Sequence, residues 1–186
     1  MDVRNEKENR IIESAIVFLV QKVTEHNSNP KPLILHCIRV GMKLYDARES
    51  MEVVVAMLLH DLLEDTQCTP QEIEERFGSR VLQLVDALTF DDAIDDYQIR
   101  WKGPLAKMVA IGRDACIMKT VDMHDNLLYL GLFGPKTSYE HTLWKHQFVL
   151  KSFMPILADN SLFRAYKSAF TAATERIANT HDKPSS

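Results

Sequence analysis

The segment LLHDLLEDTQCTPQEIEERFG, residues 58–78, places four titratable side chains against an apolar run. The apolar run predicts burial in a core, but His60 and Asp61 interrupt it, and Glu64 and Asp65 follow one helical turn later. Polar and charged groups beside a core cost free energy unless they are paired or bound. The segment therefore predicts a helix that carries a functional site.

The composition is that of an ordinary globular protein, with 46% hydrophobic and 26% charged residues. The length of 186 residues predicts a single domain over residues 1–180, with a disordered tail at 181–186. A chain of this length buries roughly 70% of its unfolded surface, which leaves room for an internal site. The net charge of -4 does not indicate a nucleic-acid partner.

The cysteines and the N-terminus predict a cytoplasmic protein. Cys37, Cys68 and Cys116 are odd in number and form no CxxC pair, which is typical of reduced proteins inside the cell. The charged N-terminus lacks a secretory-signal pattern, and no apolar run approaches the roughly 18 residues that a membrane span needs. The oligomeric state stays open, because the last two predicted helices form either a dimer face or a cap on the fold.

Apolar residues recur at spacings of three and four, which predicts amphipathic helices throughout. Thr69, followed by Pro70 and Glu72, predicts an N-cap and a helix start. No strand alternation or internal repeat is present, so the fold class is all-α, a bundle of roughly eight to ten helices. The predicted helices cover residues 5–26, 33–48, 52–65, 70–78, 79–88, 104–113, 114–130, 138–157 and 160–179, with loops at 26–32, 90–98 and 130–138.

Two further polar residues interrupt apolar helices. His36 lies within LILHCIRV, and Asp122 lies within IMKTVDMHDNLLYL. Together with His60 and Asp61 they supply two imidazoles and two carboxylates from three predicted helices. Such a mixed set suits Mn²⁺, Fe²⁺, Co²⁺ or Zn²⁺ and leaves coordination positions for water and a phosphate oxygen.

Each of these residues also has a structural interpretation. His36 alone fits a packed core histidine, and Asp122 alone fits an ion pair with Lys119 one turn earlier. All three interruptions of apolar helices, taken together, favour the metal site.

The pattern H…HD…D in an all-helical chain resembles the HD-domain metal-dependent phosphohydrolases. LLHDLLEDT, followed by TPQEIEERFGSRVLQLVDALT, is similar to the hydrolase domain of the RelA/SpoT-homologue alarmone enzymes. The segment KTVDMHDNL resembles a third family segment and matches it at Lys119, Asp122 and Asn126. The resemblance covers roughly residues 31–130 and implies an HD-domain helical bundle.

This resemblance also implies a chemistry. One divalent metal ion, typically Mn²⁺, would be held by four ligands, His36, His60, Asp61 and Asp122. Glu64 and Asp65 would activate or position the attacking water, and Asn126 would lie near the nucleotide. The substrates of the family are guanosine alarmones such as ppGpp, which lose their 3′-pyrophosphate. No histidine lies between Asp61 and Asp122, and this favours one metal over two.

The sequence departs from the alarmone family before and after the first histidine. The loop NSNPKP is short, Pro32 or Leu33 stands in place of a tyrosine, and Cys37 stands in place of a proline. His36, Arg39 and Val40 form an H-x-x-R-V motif that resembles the wider HD superfamily. A nucleoside monophosphate phosphatase, or a catalytically silent nucleotide- or metal-binding sensor, is therefore an alternative to the pyrophosphohydrolase.

A phosphorylated substrate requires positive charge beyond the metal. Arg39 follows His36 by one turn and Lys119 precedes Asp122 by one turn, so each is predicted either to bind phosphate or to pair with a ligand carboxylate. Lys31 and Lys43 are weaker candidates for the same role. Asn126 is predicted to bind the sugar or base, or to cap a helical carbonyl.

Overall fold

The computed structural model describes residues 6–91, 93–128 and 136–181, without the side chains of residues 136–139 and 176–181. These residues form ten helices and no strand, which confirms the all-α prediction. No helix among them combines the length and apolar character needed to cross a membrane. In chain order the helices are α1 (Glu6–Glu25), α2 (Leu33–Asp46), α3 (Met51–Leu59), α4 (Leu62–Asp65), α5 (Pro70–Phe77), α6 (Ser79–Leu88), α7 (Tyr97–Ile111), α8 (Arg113–Asn126), α9 (Lys136–Leu157) and α10 (Ser161–His181).

The chain divides into two compact units, Met1–Met118 and Lys119–Ser186, and the boundary falls within α8. The single domain over residues 1–180 stays a prediction. Residues 182–186 of the predicted tail lie outside the described residues, as do residues 130–135 of the predicted turn before α9. In the second unit, α9 and α10 pack against each other.

Helix α3 is the centre of the first unit. All of its residues from Val53 to Leu59 are buried, and it packs against α1, α2 and α6. A helix that is apolar on every side is stable only inside a core. Its start is capped by Ser50, whose Oγ accepts a hydrogen bond from the N–H of Val53 at 3.4 Å. The buried helix therefore delivers His60, the residue after its end, into the interior.

Helices α2 and α3 approach closely at one glycine. A Cβ atom added to Gly41 would lie 2.6 Å from Leu58 Cδ2 and 2.7 Å from Leu58 Cγ. Only the absence of a side chain at Gly41 allows this approach. Leu58 lies two residues before His60, so the same contact brings α2 and its His36 close to the end of α3.

The predicted single helix over residues 52–65 is wrong, because the chain turns at His60 and Asp61. Asp61 has φ −92° and ψ −4°, in the sparsely populated region where many active-site residues lie. Helix α4 resumes at Leu62, and the N–H of Asp65 donates to the carbonyl of Asp61 at 2.9 Å. In a continuous helix, the side chains of His60 and Asp61 would lie about 100° apart around the axis. The turn at these two residues interrupts that spacing.

The starts of α5 and α7 differ in how well the sequence predicts them. Thr69 caps α5 as predicted, with a reciprocal bond in which Glu72 Oε2 accepts from the Thr69 N–H at 2.9 Å. The predicted start at Pro104 is wrong, because α7 begins at Tyr97. Asp96 accepts hydrogen bonds from two N–H groups of the first turn, and this cap starts the helix earlier, so that it continues through Pro104 despite the missing donor there.

Candidate metal centre

Two histidines and one aspartate converge beyond the end of α3. His36 Nε2 lies 3.7 Å from Asp61 Oδ2, and His60 Nε2 lies 3.0 Å from Asp61 Oδ1. The two imidazole rings are 5.3 Å apart between centroids. Both histidines are buried, whereas the Asp61 side chain is 14% exposed. The three groups thus form a donor set whose facing atoms, His36 Nε2, His60 Nε2 and Asp61 Oδ2, are buried.

The orientation of His60 is set by the backbone. Its Nδ1 lies 2.8 Å from the carbonyl oxygen of Met57, which can only accept a hydrogen bond. Nδ1 therefore carries the proton of the neutral ring, and Nε2 presents its lone pair toward Asp61. A backbone carbonyl in this position is a common partner of metal-binding histidines because it fixes both the tautomer and the ring plane.

Cys37 lies beside the imidazole of His60, near the nitrogen that does not face Asp61. Its buried Sγ is 3.9 Å from His60 Nδ1, the nitrogen that is bonded to Met57. Cys37, His60 and Asp61 are close enough to hold an ion as a group. Because Nδ1 is already a donor, the nitrogen and oxygen set of His36, His60 and Asp61 fits a divalent ion better than a set with the thiol.

The two carboxylates of α4 contact different loops. Glu64 Oε1 accepts a hydrogen bond from the backbone N–H of Phe90 at 2.5 Å, just before the acidic segment. Asp65 Oδ2 accepts from the side-chain nitrogen of Asn29 at 2.7 Å, in the loop between α1 and α2. Both carboxylates are half-buried. The geometry thus assigns each of them a separate partner that fixes its orientation.

Asp65 is also electrostatically perturbed. Burial raises the pKa of Asp65 above its ordinary value, and the hydrogen bond from Asn29 acts in the opposite direction. The nearby Asp61 carboxylate adds to the rise, and the Lys31 ammonium reduces it. Lys31 is therefore close enough to influence this carboxylate.

In the second unit, three predicted site residues of α8 form one hydrogen-bonded group. Lys119 Nζ donates to Asp122 Oδ2 at 2.8 Å, and Asn126 Nδ2 donates to Asp122 Oδ1 at 2.7 Å. Lys119 and Asp122 are both buried. The ion pair between Lys119 and Asp122 is the structural alternative that the sequence left open. Asn126 contacts a carboxylate, a partner that neither of its two predicted roles included.

The remaining predicted cations lie on α2. Arg39 is half-buried and follows His36 by one turn, and Lys43 is also half-buried one turn further along. One histidine of α9, His146, has a structural environment instead. His146 is buried, and its Nδ1 lies 2.7 Å from the hydroxyl of Tyr166 on α10.

A family model described as HD domain matches residues 15–110, which is more than half of the chain. The chain belongs to the HD domain family. The matched region contains six of the nine predicted site residues and ends before the group on α8. These residues are His36, His60, Asp61, Glu64 and Asp65, in addition to Arg39, whereas Lys119, Asp122 and Asn126 lie beyond it.

Curated relatives of this HD domain carry alarmone names. The guanosine-3′,5′-bis(diphosphate) 3′-pyrophosphohydrolase of Aquifex aeolicus is 34% identical over 125 residues, which are 66% of this chain and 18% of that protein. The bifunctional (p)ppGpp synthase/hydrolase SpoT of Escherichia coli K12 is 32% identical over 58% of this chain and 16% of its own length. The chain thus spans less than a fifth of the length of these relatives.

Solved structures have the same fold as this HD domain. A metazoan orthologue of SpoT that hydrolyses ppGpp superposes with a TM-score of 0.72 at 20% identity, over 92% of this chain and 98% of that one. The protein lmo0812 of Listeria monocytogenes, solved at 1.85 Å, gives a TM-score of 0.65 at 26% identity, over 75% of this chain and 99% of that one. The first likeness establishes the all-α HD fold alone.

Sequence reasoning missed the partners that orient the site. Asn29, Ser28 and the backbone of Phe90 were predicted only as parts of loops, and Met57 only as part of an apolar run. Nothing in the local pattern indicates these contacts, because each joins residues that are far apart in sequence or uses a backbone atom. The asparagines of HNSN are the one visible signal, since asparagine is common where a loop is held by side-chain hydrogen bonds.

Proposed function

We propose that this HD domain is a metal-dependent phosphohydrolase that acts on a nucleotide pyrophosphate, as the guanosine-3′,5′-bis(diphosphate) 3′-pyrophosphohydrolases do. The observation that carries the proposal is the convergence of His36, His60 and Asp61, with the His60 tautomer fixed by Met57. Two imidazoles and a carboxylate that meet at one buried point are a donor set for a transition metal.

The proposed ligands of a single divalent ion are His36, His60, Asp61 and Asp122. Asp122 is supported by its burial in mid-helix and by the two donors that hold its oxygens. Mn²⁺ is the proposed ion, with Fe²⁺, Co²⁺ and Zn²⁺ as alternatives of similar donor preference. When bound, such an ion supplies Lewis-acid polarisation of a phosphate oxygen and lowers the pKa of a water molecule.

Glu64 and Asp65 are the proposed acceptors of the proton of the attacking water. A carboxylate offers about four acceptor positions, so the bonds from Phe90 and Asn29 orient both groups without using all of that capacity. Their half-buried position keeps them accessible to water while it limits their rotation. In-line attack of the deprotonated water on phosphorus then releases pyrophosphate.

Arg39, Lys119 and Asn126 are the proposed substrate-binding residues. A lysine ammonium has three N–H donors, so Lys119 can donate to Asp122 and to a phosphate oxygen at the same time. The half-buried guanidinium of Arg39 can bind two phosphate oxygens together. We propose a cytoplasmic location as well, supported by three buried thiols, Cys37, Cys68 and Cys116.

The test is incubation of the Mn²⁺-loaded protein with ppGpp, with products followed by ³¹P NMR. Release of pyrophosphate by the parent protein, but not by a variant with His60→Ala and Asp61→Ala, is the expected result. Absence of turnover with Mn²⁺, Fe²⁺, Co²⁺ and Zn²⁺ alike would exclude ppGpp as the substrate. Unchanged turnover by the double variant would exclude the metal centre.

A nucleoside monophosphate phosphatase is the second candidate. Two features favour this candidate. The loop before α2 is short, since α2 begins at Leu33 directly after Pro32, and residue 37 is a cysteine. In the alarmone family that the sequence resembles, this loop carries basic residues, a tyrosine precedes the histidine and a proline follows it. Release of orthophosphate from nucleoside monophosphates, without pyrophosphate release from ppGpp, would decide for this candidate.

A further inference from the structure

One side chain of the loop between α1 and α2 is joined directly to a carboxylate of the site. Asn29 Nδ2 donates to Asp65 Oδ2 at 2.7 Å, between two half-buried groups. The neighbouring Ser28 donates to the backbone carbonyl of Asp65 through its N–H at 2.9 Å and its hydroxyl at 3.3 Å. The loop thus holds both the main chain and the carboxylate of Asp65.

The Asn29 carboxamide is itself fixed in orientation. Its Oδ1 accepts a hydrogen bond from the N–H of Lys31 at 2.9 Å. Because an N–H can bond only to the oxygen of the carboxamide, this contact leaves the Nδ2 end directed toward Asp65. Asn27 holds the backbone of Asn29, with Oδ1 accepting from its N–H at 2.9 Å and Nδ2 donating to its carbonyl at 3.2 Å. The donor to Asp65 is therefore preorganised before any substrate binds.

The carboxylate of an aspartate needs such a partner. Rotation about χ2 of aspartate is broad, so packing alone selects its orientation poorly. A hydrogen bond to an ionised oxygen is about twice as strong as a neutral one and has a narrow geometry. One donor in a fixed place is sufficient to determine which oxygen of Asp65 faces the α1–α2 loop and which one remains for water.

We propose that Asn29 is a positioning residue, which holds the Asp65 carboxylate in the orientation that accepts a proton from the attacking water. This role rests on the proposed hydrolase function, in which Asp65 is one of the two proton acceptors. It assigns a task in catalysis to the loop where the alarmone resemblance is weakest. Asn29 itself does not touch the reacting atoms in this proposal.

Three variants separate positioning from loop folding. Asn29→Asp keeps Oδ1 for the Lys31 N–H but replaces the donor to Asp65 by an acceptor. Asn29→Ala removes both bonds, and Asn27→Ala weakens the loop without touching Asp65. Because a misplacement of about 1 Å costs up to about 100-fold in rate, kcat should fall roughly 10- to 100-fold in both Asn29 variants. KM and the Mn²⁺ affinity should stay within about twofold, and Asn27→Ala, which keeps the Asn29 carboxamide and its bond to Asp65, should lose less kcat than either Asn29 variant.

Two kinetic results would overturn the proposal. If Asn29→Asp behaves like the parent while Asn29→Ala is impaired, the side chain serves the loop turn at Lys31 alone. If KM rises and kcat is unchanged, the loop binds substrate and does not position Asp65.

A structural readout that needs no turnover completes the test. Crystal structures of the Mn²⁺-loaded parent and Asn29→Asp should show the Asp65 carboxylate rotated away from residue 29 in the variant. An unmoved carboxylate would overturn the positioning role whatever the activity. If the parent hydrolyses none of the nucleotides offered, the hydrolase function fails, and the crystal comparison still decides whether Asn29 orients Asp65.

Discussion

His60 Nδ1 lies 2.8 Å from the carbonyl oxygen of Met57, three residues earlier in the chain. The bond closes over the end of α3, where helical carbonyl groups lack an intrahelical donor. It satisfies one such carbonyl and at the same time directs Nε2 toward Asp61. The end of a buried helix therefore orients a nitrogen that is able to bind a metal ion, and no neighbouring side chain is required for the tautomer.

Binding of a metal ion to His60 should stabilise the folded protein. Addition of Mn²⁺ at about 100 times its dissociation constant should raise the free energy of unfolding by about 2.7 kcal/mol, because the ion binds only the folded state. Thermal melts with Mn²⁺ and with EDTA measure the effect. His36→Ala and His60→Ala should lose it, whereas His141→Ala, at an exposed position of α9, should keep it. An equal stabilisation in all three variants would place the ion elsewhere.

Removal of the Lys119 ammonium should lower the stability of the protein without lowering its affinity for metal. Lys119→Met breaks a buried ion pair with Asp122, which destabilises the metal-free protein by roughly 3–5 kcal/mol. The affinity for Mn²⁺ should stay the same or rise, because a positive charge beside the proposed ligand Asp122 is lost. Calorimetric titration measures that affinity, and chemical denaturation with EDTA measures the stability.

Asn126→Ala is the matched comparison, since it removes a neutral donor from the other oxygen of Asp122. Its effect on the metal-free stability should be smaller than that of Lys119→Met. A fall in Mn²⁺ affinity in Lys119→Met would mean instead that the lysine holds Asp122 in place for the ion.

Gly41→Ala should weaken both the core and the metal centre. The added Cβ would meet Leu58 at 2.6 Å, and overpacking of this kind costs about 1–3 kcal/mol. Separation of α2 from α3 should also lower the Mn²⁺ affinity, because His36 and His60 lie on opposite sides of that contact. Gly103→Ala is the control, since a Cβ added to Gly103 in α7 would meet nothing within 4 Å beyond its chain neighbours and the backbone of its own helix. It should gain about 0.5–1 kcal/mol from helix propensity. Similar effects of the two substitutions on denaturation would contradict the close approach.

The buried pair of His146 and Tyr166 should make stability depend on pH. Burial lowers the pKa of His146 to about 4, against its ordinary value of 6.5, with the Asp122 carboxylate acting in the opposite direction. Between these values the unfolded chain binds a proton that the folded protein does not, so stability should fall as the pH falls from about 6.5 toward 4. Urea denaturation at pH 7 and pH 5 should show a smaller difference in His146→Phe than in the parent.

At pH 7 the same variant should lose about 1–3 kcal/mol, because the Tyr166 hydroxyl is left without its partner. Adding Tyr166→Phe should restore part of this loss, and a strictly additive double variant would show that the two groups do not interact.

Local patterns were sufficient for most of the helices. The start of α5 was predictable because Thr69, Pro70 and Glu72 make their capping contacts within four residues of each other. The start of α7 was not, because Pro104 is a typical first helical residue and the effective cap, Asp96, lies in an acidic segment that resembles a loop. A cap is determined by the backbone angles of one residue, and several nearby residues are chemically suited to it.

The residues proposed for the metal centre were visible as polar interruptions of apolar helices, but their arrangement was not. In a continuous helix over residues 52–65, His60 and Asp61 would lie about 100° apart around the helix axis. The chain instead turns at Asp61, where His60 Nε2 lies 3.0 Å from Asp61 Oδ1. Phe90, which holds Glu64, gave no signal of that role, and Asn29, which holds Asp65, gave only its residue type as a signal, because each acts across at least 26 residues of chain.

The sequence by itself determined the helical class, the family resemblance and the list of residues able to carry chemistry, because periodicity, caps and side-chain type are properties of short segments. The tertiary structure decided where α3 ends, how His36 of α2 meets Asp61, and which loop holds each carboxylate of α4. These features depend on packing between segments that are distant in the chain, such as the contact of Gly41 with Leu58. The packing of such segments stabilises the structure only once the core has formed, so a local sequence pattern does not predict these features.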